Sequence, residues 1–132
     1  MIISHTILQG PVQVKIESPY RMMLDRGNLA VTFQKSGSDK QFVVRTPNSC
    51  VVDFGTEFGV SVDASGLTET HVRQGIVELR DGTNPSRFKK RMQLLASQAG
   101  RAETDGSFRQ VQYEKTKFVY KNEFDTRIKA IE

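Results

Sequence analysis

The sequence feature that most constrains the fold is the stretch of residues 42–62, FVVRTPNSCVVDFGTEFGVSV. Three short runs of β-branched and aromatic residues are separated by segments that contain Pro, Asn, Ser and Gly. Such runs predict a strand–turn–strand–turn–strand unit, and almost nothing here follows the 3.6-residue period of a helix. We therefore expect residues 42–62 to form the buried middle of a small β-domain.

Short strands continue on both sides of this block. Val12, Val14 and Ile16 alternate with polar residues and predict a half-buried strand that follows a Gly-Pro break. Residues 25–28 (DRGN) predict a tight turn between two further strands. After a turn predicted at residues 63–66, strands are predicted at 68–72, 76–79, 92–96, 99–103 and 108–113.

A unit of the form Gly-x-apolar-x-apolar recurs at Gly10, Gly27 and Gly75, with a weaker copy around Ser97. In each copy the glycine is expected to supply a positive φ or a close backbone approach, and the two apolar residues are expected to face the core. The spacing of the copies indicates stacked strand pairs. It leaves open whether these pairs form a compact sandwich or a solenoid-like coil.

The length of the chain fits a single domain. With 132 residues, of which 37% are hydrophobic, the chain can bury a core without disulfides. We predict a β-domain over residues 1–113 and a C-terminal extension, or linker toward a following domain, over residues 114–132. Within this extension, residues 118–120 are compatible with a last strand and residues 124–131 with a short helix.

The sequence contains no pattern typical of an active site, a metal site or a cofactor site. Asp53 and Glu57 lie four residues apart with no third group tied to them, and His5 and His71 have no metal-ligand spacing. His71 lies in an alternating strand, where we expect it to face solvent or to be satisfied by its neighbours. The single cysteine, Cys50, excludes an intrachain disulfide and is expected to behave as a small buried hydrophobe. We therefore predict that the protein is not an enzyme and has no catalytic residue, metal ligand or cofactor.

The basic residues are concentrated in one place. The net charge is +4, and the densest basic run is residues 87–91, RFKKR. One hypothesis is that Arg87, Lys89, Lys90 and Arg91 contact phosphate, an anionic glycan or an acidic partner. The favoured interpretation is a solvated hairpin loop whose charges keep an exposed strand edge from pairing. Nucleic-acid binding is not expected, because no other basic and aromatic cluster accompanies this run.

The central block also contains a family motif. Arg45-Thr46-Pro47 is followed by Val51-x-Asp53-x-Gly55-Thr56-Glu57-Phe58-x-Val60, and this pattern resembles the signature of the FecR domain family. That family is named for the ferric-citrate regulator, a bacterial envelope protein that relays an outer-membrane signal to a cytoplasmic sigma factor. The resemblance covers roughly residues 7–112, in the style of planctomycete-type members, through similar segments at residues 8–12, 24–31, 66–79 and 94–99. Ser97 stands where the family usually has Gly.

We interpret the motif as a structural signature of the family rather than a ligand site. Its residues are Arg45, Thr46, Pro47, Asp53, Gly55, Thr56, Glu57, Phe58 and Gly75. We expect Gly55 to permit a bend, Thr56 to hydrogen-bond a freed backbone amide and Phe58 to fill the core. Glu57 is expected to satisfy nearby backbone donors or to pair with Arg45.

The resemblance implies both a fold and a function. The fold is all-β, with stacked short antiparallel strands that form a compact sandwich with β-solenoid-like character. The function is that of a sensory or regulatory module in the periplasm, which contacts a protein partner of the envelope (a receptor signalling domain or a regulator) in transmembrane signalling to a sigma/anti-sigma system. A glycan-binding or adhesive cell-wall module is the alternative, although the chain has no Trp and three Tyr with which to form a carbohydrate platform.

The N-terminal residues bear on this implied location. Residues 1–6 lack the pattern of a signal peptide, and no apolar run approaches the roughly 20 residues needed to span a bilayer. On the family interpretation, the chain is expected to be a piece of a membrane-anchored protein. It would then meet the membrane only through a segment that it does not contain.

Overall fold

A computed structural model of the chain describes residues 3–34 and 41–120, and these residues form an all-β fold. The strands are β1 (Ile3–Ser18), β2 (Arg21–Gln34), β3 (Phe42–Arg45), β4 (Ser49–Asp53), β5 (Glu57–Val62), β6 (Thr68–Gln74), β7 (Ile76–Asp81), β8 (Arg91–Leu95), β9 (Gln98–Ala102) and β10 (Phe108–Val111). The described residues contain no helix, and therefore none that is long and apolar enough to cross a membrane. The predicted all-β class is confirmed.

The strands form a single sheet that nearly closes on itself. The order is β10-β9-β6-β5-β2-β3-β4-β7-β8, and β1 pairs with β2 outside this path. Neighbouring strands are antiparallel except for β2 and β3, which are parallel. A two-residue turn, Ala96-Ser97, joins β8 at one end of the path to β9, which is next to the other end. The result is a barrel-like sheet around one interior.

The interior is filled by the block that the sequence singled out and by its neighbours. Strands β3, β4 and β5 occur where the apolar runs of residues 42–62 predict them, and all five residues of β4 are buried. The main core cluster consists of Met22, Leu24, Leu29, Val31, Phe33, Phe42, Val44, Val51, Phe58, Val60, Val62, Val72, Val77, Leu79 and Leu94. Each large apolar side chain buried in this way stabilises the fold by about 1.5–3 kcal/mol relative to exposure. The central block is thus a core element, as predicted.

The first two strands differ from the prediction. Both β1 and β2 continue as strands past the segments expected to be a Gly-Pro break and a tight turn at residues 25–28. The predicted turn is wrong, whereas the Gly-Pro segment interrupts the pairing of β1 with β2 without ending the strand. Gly27 has φ 110°, and a Cβ there would lie 2.7 Å from the carbonyl oxygen of Pro11. Gly27 is therefore required because β1 and β2 approach each other closely where their register shifts between Gln9 and Gln13. It does not reverse the chain.

Gly75 changes the direction of the chain between two parts of the sheet. Its φ is 92°, in agreement with the predicted positive φ, and a Cβ at this position would collide with the Thr56 side chain. Strands β6 and β7 on either side of it do not pair with each other: β6 pairs with β5 and β9, and β7 pairs with β4 and β8. The glycine is thus a corner between two sides of the barrel, which no L side chain fits without strain.

Ser97 occupies the turn where the family resemblance leads one to expect Gly. Its φ is 66°, and it is the one non-glycine residue with a positive φ among residues 3–34 and 41–120. The turn geometry is therefore kept without the glycine, at a steric cost of about 1–2 kcal/mol for an L residue.

Ser97→Gly is expected to raise the free energy of unfolding by about 0.5–1 kcal/mol, because removal of the Cβ strain outweighs the larger backbone entropy of glycine. Urea unfolding of the variant and of Ser97→Ala, which keeps the strain, provides the comparison. A glycine variant no more stable than the alanine variant would contradict the assignment of strain to this turn.

The C-terminal segment lies against the domain as far as it is described. Phe118, Val119 and Tyr120 are buried at 8% exposure or less, yet they form no strand, so the last strand predicted there is absent. The helix predicted over residues 124–131 lies outside the described residues. The extension toward a following domain stays a prediction.

Candidate functional site

The turn between β4 and β5 is built on a buried carboxyl group. The side chain of Asp53 is fully buried, and its Oδ1 accepts hydrogen bonds from the Gly55 N–H at 2.9 Å and from the Thr56 hydroxyl. Its Oδ2 has no hydrogen-bond partner within the described ranges. Burial raises the pKa of Asp53 to about 7, although both hydrogen bonds act to lower it. The signature therefore places an acid with a near-neutral pKa in the core.

The other residues of this turn have the structural roles that their types suggest. Gly55 has φ 97°, which confirms the predicted bend, and Phe58 is fully buried in the core, as expected. Thr56 differs from the prediction, because its hydroxyl donates to Asp53 rather than bonding to a backbone amide. The Thr56 carbonyl accepts the Phe33 N–H at 2.9 Å and so ties the turn to β2. The turn is thus held by hydrogen bonds to Asp53 Oδ1 and to β2, whereas Asp53 Oδ2 is left without a partner among the described residues.

The predicted pairing of Arg45 with Glu57 is wrong. Arg45 donates from one guanidinium nitrogen to Glu17 at 2.6 Å and from Nε to the Thr83 carbonyl at 2.8 Å. Glu57 lies with Oε2 at 3.6 Å from Nε of Arg73 on β6. The physical reason is the strand order, since β3 has β2 and β4 as neighbours and β5 has β2 and β6.

The turn between β3 and β4 is fastened by hydrogen bonds to β6 and to the end of β9. Thr46 is fully buried, and its hydroxyl lies 2.9 Å from the Ser49 hydroxyl and 3.1 Å from that of Thr68. Asn48 donates from Nδ2 to the backbone carbonyls of residues 102 and 103 at 3.0 and 3.1 Å. Pro47 is exposed. This part of the signature is a buried polar fastening between three strands.

Asn48→Ala is expected to lower the free energy of unfolding by about 1–3 kcal/mol, because two backbone carbonyls lose the Nδ2 donor and the Thr68 hydroxyl loses one of its acceptors. Thermal unfolding of this variant should be compared with that of Asn84→Ala, which removes a side chain from an exposed loop. Equal melting temperatures for the two variants would contradict the fastening role.

The basic run lies in the exposed loop between β7 and β8 and ends at Arg91, the first residue of β8. Arg87, Lys89, Lys90 and Arg91 are all exposed. Asp81 shapes the loop by accepting the backbone N–H groups of residues 89 and 90 at 2.7 and 2.8 Å. The loop precedes β8, which pairs only with β7 among the described strands. This position fits the interpretation that the charges protect an outer strand, while contact with an anionic partner stays a prediction.

The described residues contain no group of three or more His, Cys, Asp or Glu side chains arranged to hold a metal ion. Cys50 is fully buried in β4, where burial raises the pKa of its thiol to about 11, so it has the predicted character of a buried hydrophobe.

A feature that the sequence analysis did not find is a trench across the outer face of the sheet. Ala30, Gly59, His71 and Ala99 lie side by side on β2, β5, β6 and β9. Three of these four residues are small, so the row leaves room above the sheet. Residues 113–120, which we call the strap, run over this row. The strap and the trench form a packed unit that lies outside the main core.

Aromatic side chains of the strap fill the trench. The Phe118 ring lies directly on Gly59, where a Cβ would overlap the ring, and its centroid is 5.6 Å from that of His71. Tyr120 packs with Ala30 and Phe118 in a second buried cluster. A glycine inside a strand pattern indicates that something approaches the backbone closely, and Gly59 was the sequence signal that could have revealed this contact.

His71 is the polar anchor of the strap. It is fully buried, its Nε2 lies 2.7 Å from Oε1 of Glu69, and its Nδ1 accepts the backbone N–H of Glu114 at 3.1 Å. Both contacts are satisfied by the neutral imidazole with its proton on Nε2. His71 is thus satisfied by neighbours, one of the two outcomes that the sequence predicts.

Glu69 collects three cationic or polar partners around this anchor. Besides His71, it accepts hydrogen bonds from Arg101 and from the strap residue Lys117, each at 3.1 Å. Although burial raises the pKa of Glu69, the hydrogen bonds from His71 and Lys117 and the charge of Lys117 lower it to about 2. Glu69 therefore remains a carboxylate at all physiological pH values.

The N-terminal strand β1 has one edge that pairs with no described strand. Strand β1 is 16 residues long and pairs only with β2 in the described parts of the chain. Leu8 and Ile16 on this strand are 46% and 65% exposed. They border a groove of about 300 Å³ that is also lined by Val14, Met22 and Phe42. The groove and the free edge together form a surface suited to an extended segment.

Comparisons with solved structures place this architecture among known folds. The fold matches that of a protein of Parabacteroides distasonis that is provisionally described as an anti-sigma factor, with a TM-score of 0.69 and 19% identity over 86% of this chain and 53% of that one. A second structure with the same description and organism matches with a TM-score of 0.58 and 17% identity, over 89% of this chain and 62% of that one. The chain shares the fold of these two proteins.

The same comparisons set the extent of the likeness. The chain spans between half and two thirds of the length of these two proteins. No family model matches the chain, and no curated protein matches it.

Proposed function

We propose that this chain is a regulatory module of the sigma/anti-sigma type, related to the FecR domain, that acts by contact with other proteins and catalyses no reaction. The observation that carries this proposal is the fold shared with two proteins described as anti-sigma factors. The GTEF-centred motif at residues 55–58 is independent support, because it resembles the FecR signature. A location outside the cytoplasm, in the bacterial envelope, belongs to the same proposal and rests on that resemblance.

The contact surface that fits this function best is the free edge of β1 with its groove. Three strands are outer strands in the described sheet: β1, β8 and β10. The last two have only five and four residues. Strand β1 is three times longer and exposes Leu8 and Ile16. An extended segment of a partner protein can add to this edge by backbone hydrogen bonds and place apolar side chains in the groove.

The test is capture of a partner from envelope extract of the source organism by the immobilised chain, at low and at physiological salt. We expect one protein in near-stoichiometric amount that resists physiological salt, because apolar and backbone contacts are screened less than surface charges. The paired variant Leu8→Lys with Ile16→Lys should lose this protein. The matched control is Leu95→Lys, which changes a leucine of similar exposure (44%) on the outer strand β8.

Three results would contradict the proposal. Capture of polysaccharide without a protein would favour the glycan-binding alternative. Equal loss in the β1 and β8 variants would remove the β1 edge from the contact surface. Loss of the captured protein on replacement of Arg87, Lys89, Lys90 and Arg91 by serine, with the β1 variants unaffected, would transfer the contact to the basic loop.

A further inference from the structure

The main chain of the strap is held by side chains instead of by a strand ladder. The N–H of Glu114 donates to Nδ1 of His71 at 3.1 Å, and the N–H of Val119 donates to Oε1 of Gln9 at 3.0 Å. Gln9 accepts at any pH, because an amide does not titrate. His71 accepts at Nδ1 only while that nitrogen is unprotonated. Attachment of the first half of the strap therefore depends on the protonation state of one buried imidazole.

Charged and titratable groups surround this imidazole on three elements. Glu69 on β6 contacts Nε2, and Arg101 on β9 and Lys117 on the strap both contact Glu69. The carboxyl of Glu114 belongs to the residue whose N–H His71 binds. The imidazole packs against two rings of the strap in tilted arrangements, with the Tyr113 centroid at 5.9 Å and the Phe118 centroid at 5.6 Å. Gly59 on β5 adds no charge.

These neighbours make a second proton on His71 disruptive. Glu69 stays ionised because the pKa of its carboxyl is about 2, so Nε2 keeps its proton as the donor to Glu69. An added proton therefore enters at Nδ1, where the Glu114 N–H already points. Two donors then face each other at an imidazole that is itself fully buried, and a buried donor without an acceptor costs about 1–3 kcal/mol. The strap can relieve this cost by moving away.

We propose that the strap is a pH-sensitive latch, in which protonation of His71 at Nδ1 releases residues 113–120 from the trench over Ala30, Gly59 and Ala99. The barrel stays folded in the released state, because the main core cluster contains no strap residue. Release uncovers the trench. Mild acidification thus becomes a signal that the protein can convert into a change of its outer face.

The test is amide hydrogen exchange of the full chain, measured by NMR at about pH 7.5 and about pH 5, on either side of the usual range of histidine. After correction for the intrinsic pH dependence of exchange, the Glu114 and Val119 amides are expected to lose protection by about tenfold or more at the lower pH. Amides of β4 and β5 are expected to keep theirs. Unchanged protection of the strap amides between the two pH values would overturn the proposal, as would parallel loss in the strap and the core strands.

Two substitutions of His71 separate the latch from a merely structural histidine. His71→Asn retains a side-chain oxygen at the branch that Nδ1 occupies, so its strap should stay protected at both pH values. His71→Gln reaches toward Glu69 and leaves the Glu114 N–H without its acceptor, so its strap should exchange quickly at both. His5→Asn changes the other histidine, which is exposed on β1, and should leave the pH response of the wild type intact. A pH response that survives in His71→Asn, or disappears in His5→Asn, would refute the assignment to His71.

Discussion

Replacement of Phe118 by alanine is expected to lower the free energy of unfolding by about 3–4 kcal/mol, because it removes an almost fully buried ring from a tight contact. The ring lies on Gly59 and beside His71, so its loss leaves a cavity that these small or rigid neighbours cannot fill by moving inward. Urea unfolding followed by far-UV circular dichroism measures the change. An effect of this size from a residue so close to the end of the described chain means that the strap is an integral part of the fold.

The matched control for this substitution is Phe88→Ala. Phe88 is also a phenylalanine in a loop, but it is 36% exposed and packs under the guanidinium of Arg80 at 4.6 Å. Its removal is expected to cost about 1 kcal/mol or less. If the two alanine variants were equally stable, the strap would be a dispensable appendage and the trench would have no role in stability.

Titration of Asp53 is expected to lower the stability of the folded barrel as pH rises from about 4 to about 7. The pKa of Asp53 is about 7 in the folded protein and 3.8 in the reference state. Between these values the folded state holds a proton that the unfolded chain has released, so a rise in pH favours unfolding. Each unit of difference between the two pKa values corresponds to 1.36 kcal/mol, so the loss of stability reaches up to about 4 kcal/mol once the pH exceeds the folded pKa.

Asp53→Asn is expected to remove this dependence. Asparagine is neutral at all pH values and still offers an oxygen to the Gly55 N–H and the Thr56 hydroxyl. The variant should be more stable than the wild type by about 2–4 kcal/mol at about pH 8 and similar to it at about pH 5. Urea unfolding at several pH values between these limits provides the measurement.

Asp63→Asn is the control for the pH experiment. The carboxyl of Asp63 is exposed, and the Ser65 hydroxyl holds its pKa below the usual value. It therefore titrates below the pH range in question, and its replacement should leave the slope between about pH 5 and 8 unchanged. A wild-type slope in Asp53→Asn, or a lost slope in Asp63→Asn, would show that another group is responsible.

The sequence predicted well those parts of the fold that depend on local pattern. The runs around Val44, Val51 and Val60 are short, apolar and bounded by turn residues, so the positions of β3, β4 and β5 followed directly. The same holds for Gly55 and Gly75, whose positive φ values follow from their places between apolar runs. Local propensity and burial point to the same answer at these positions.

What the sequence could not show is which strands become neighbours. Arg45 was expected near Glu57, but the parallel pairing of β2 with β3 places it beside Glu17 instead. Parallel and non-sequential pairings depend on the packing of the whole sheet, and no short motif encodes them. The turn expected at residues 25–28 failed for a related reason: Gly27 is required by a contact with Pro11, a residue of the adjacent strand.

The candidate site was missed for the same reason. Gly59, His71 and Phe118 are separated by 12 and 47 positions along the chain, and only the folded sheet brings them together. Nothing in the sequence indicates that a histidine in an alternating strand contacts a phenylalanine in a weakly patterned tail. The isolated Gly59 was the one clue available, and it indicates a close approach without naming the approaching group.

The contact between Gln9 and Val119 has a consequence for the order of folding. It closes a loop of 110 residues, and its acceptor lies on β1 at the start of the chain. The strap can bind only after β2, β5 and β6 have assembled the trench. It therefore joins late in folding, when the chain has already lost the entropy that closing the barrel requires. Phe118→Ala should then accelerate unfolding and leave the refolding rate nearly unchanged, which corresponds to a φ-value near zero. The strap residues would then determine how slowly the native state unfolds, although they take no part in the folding nucleus.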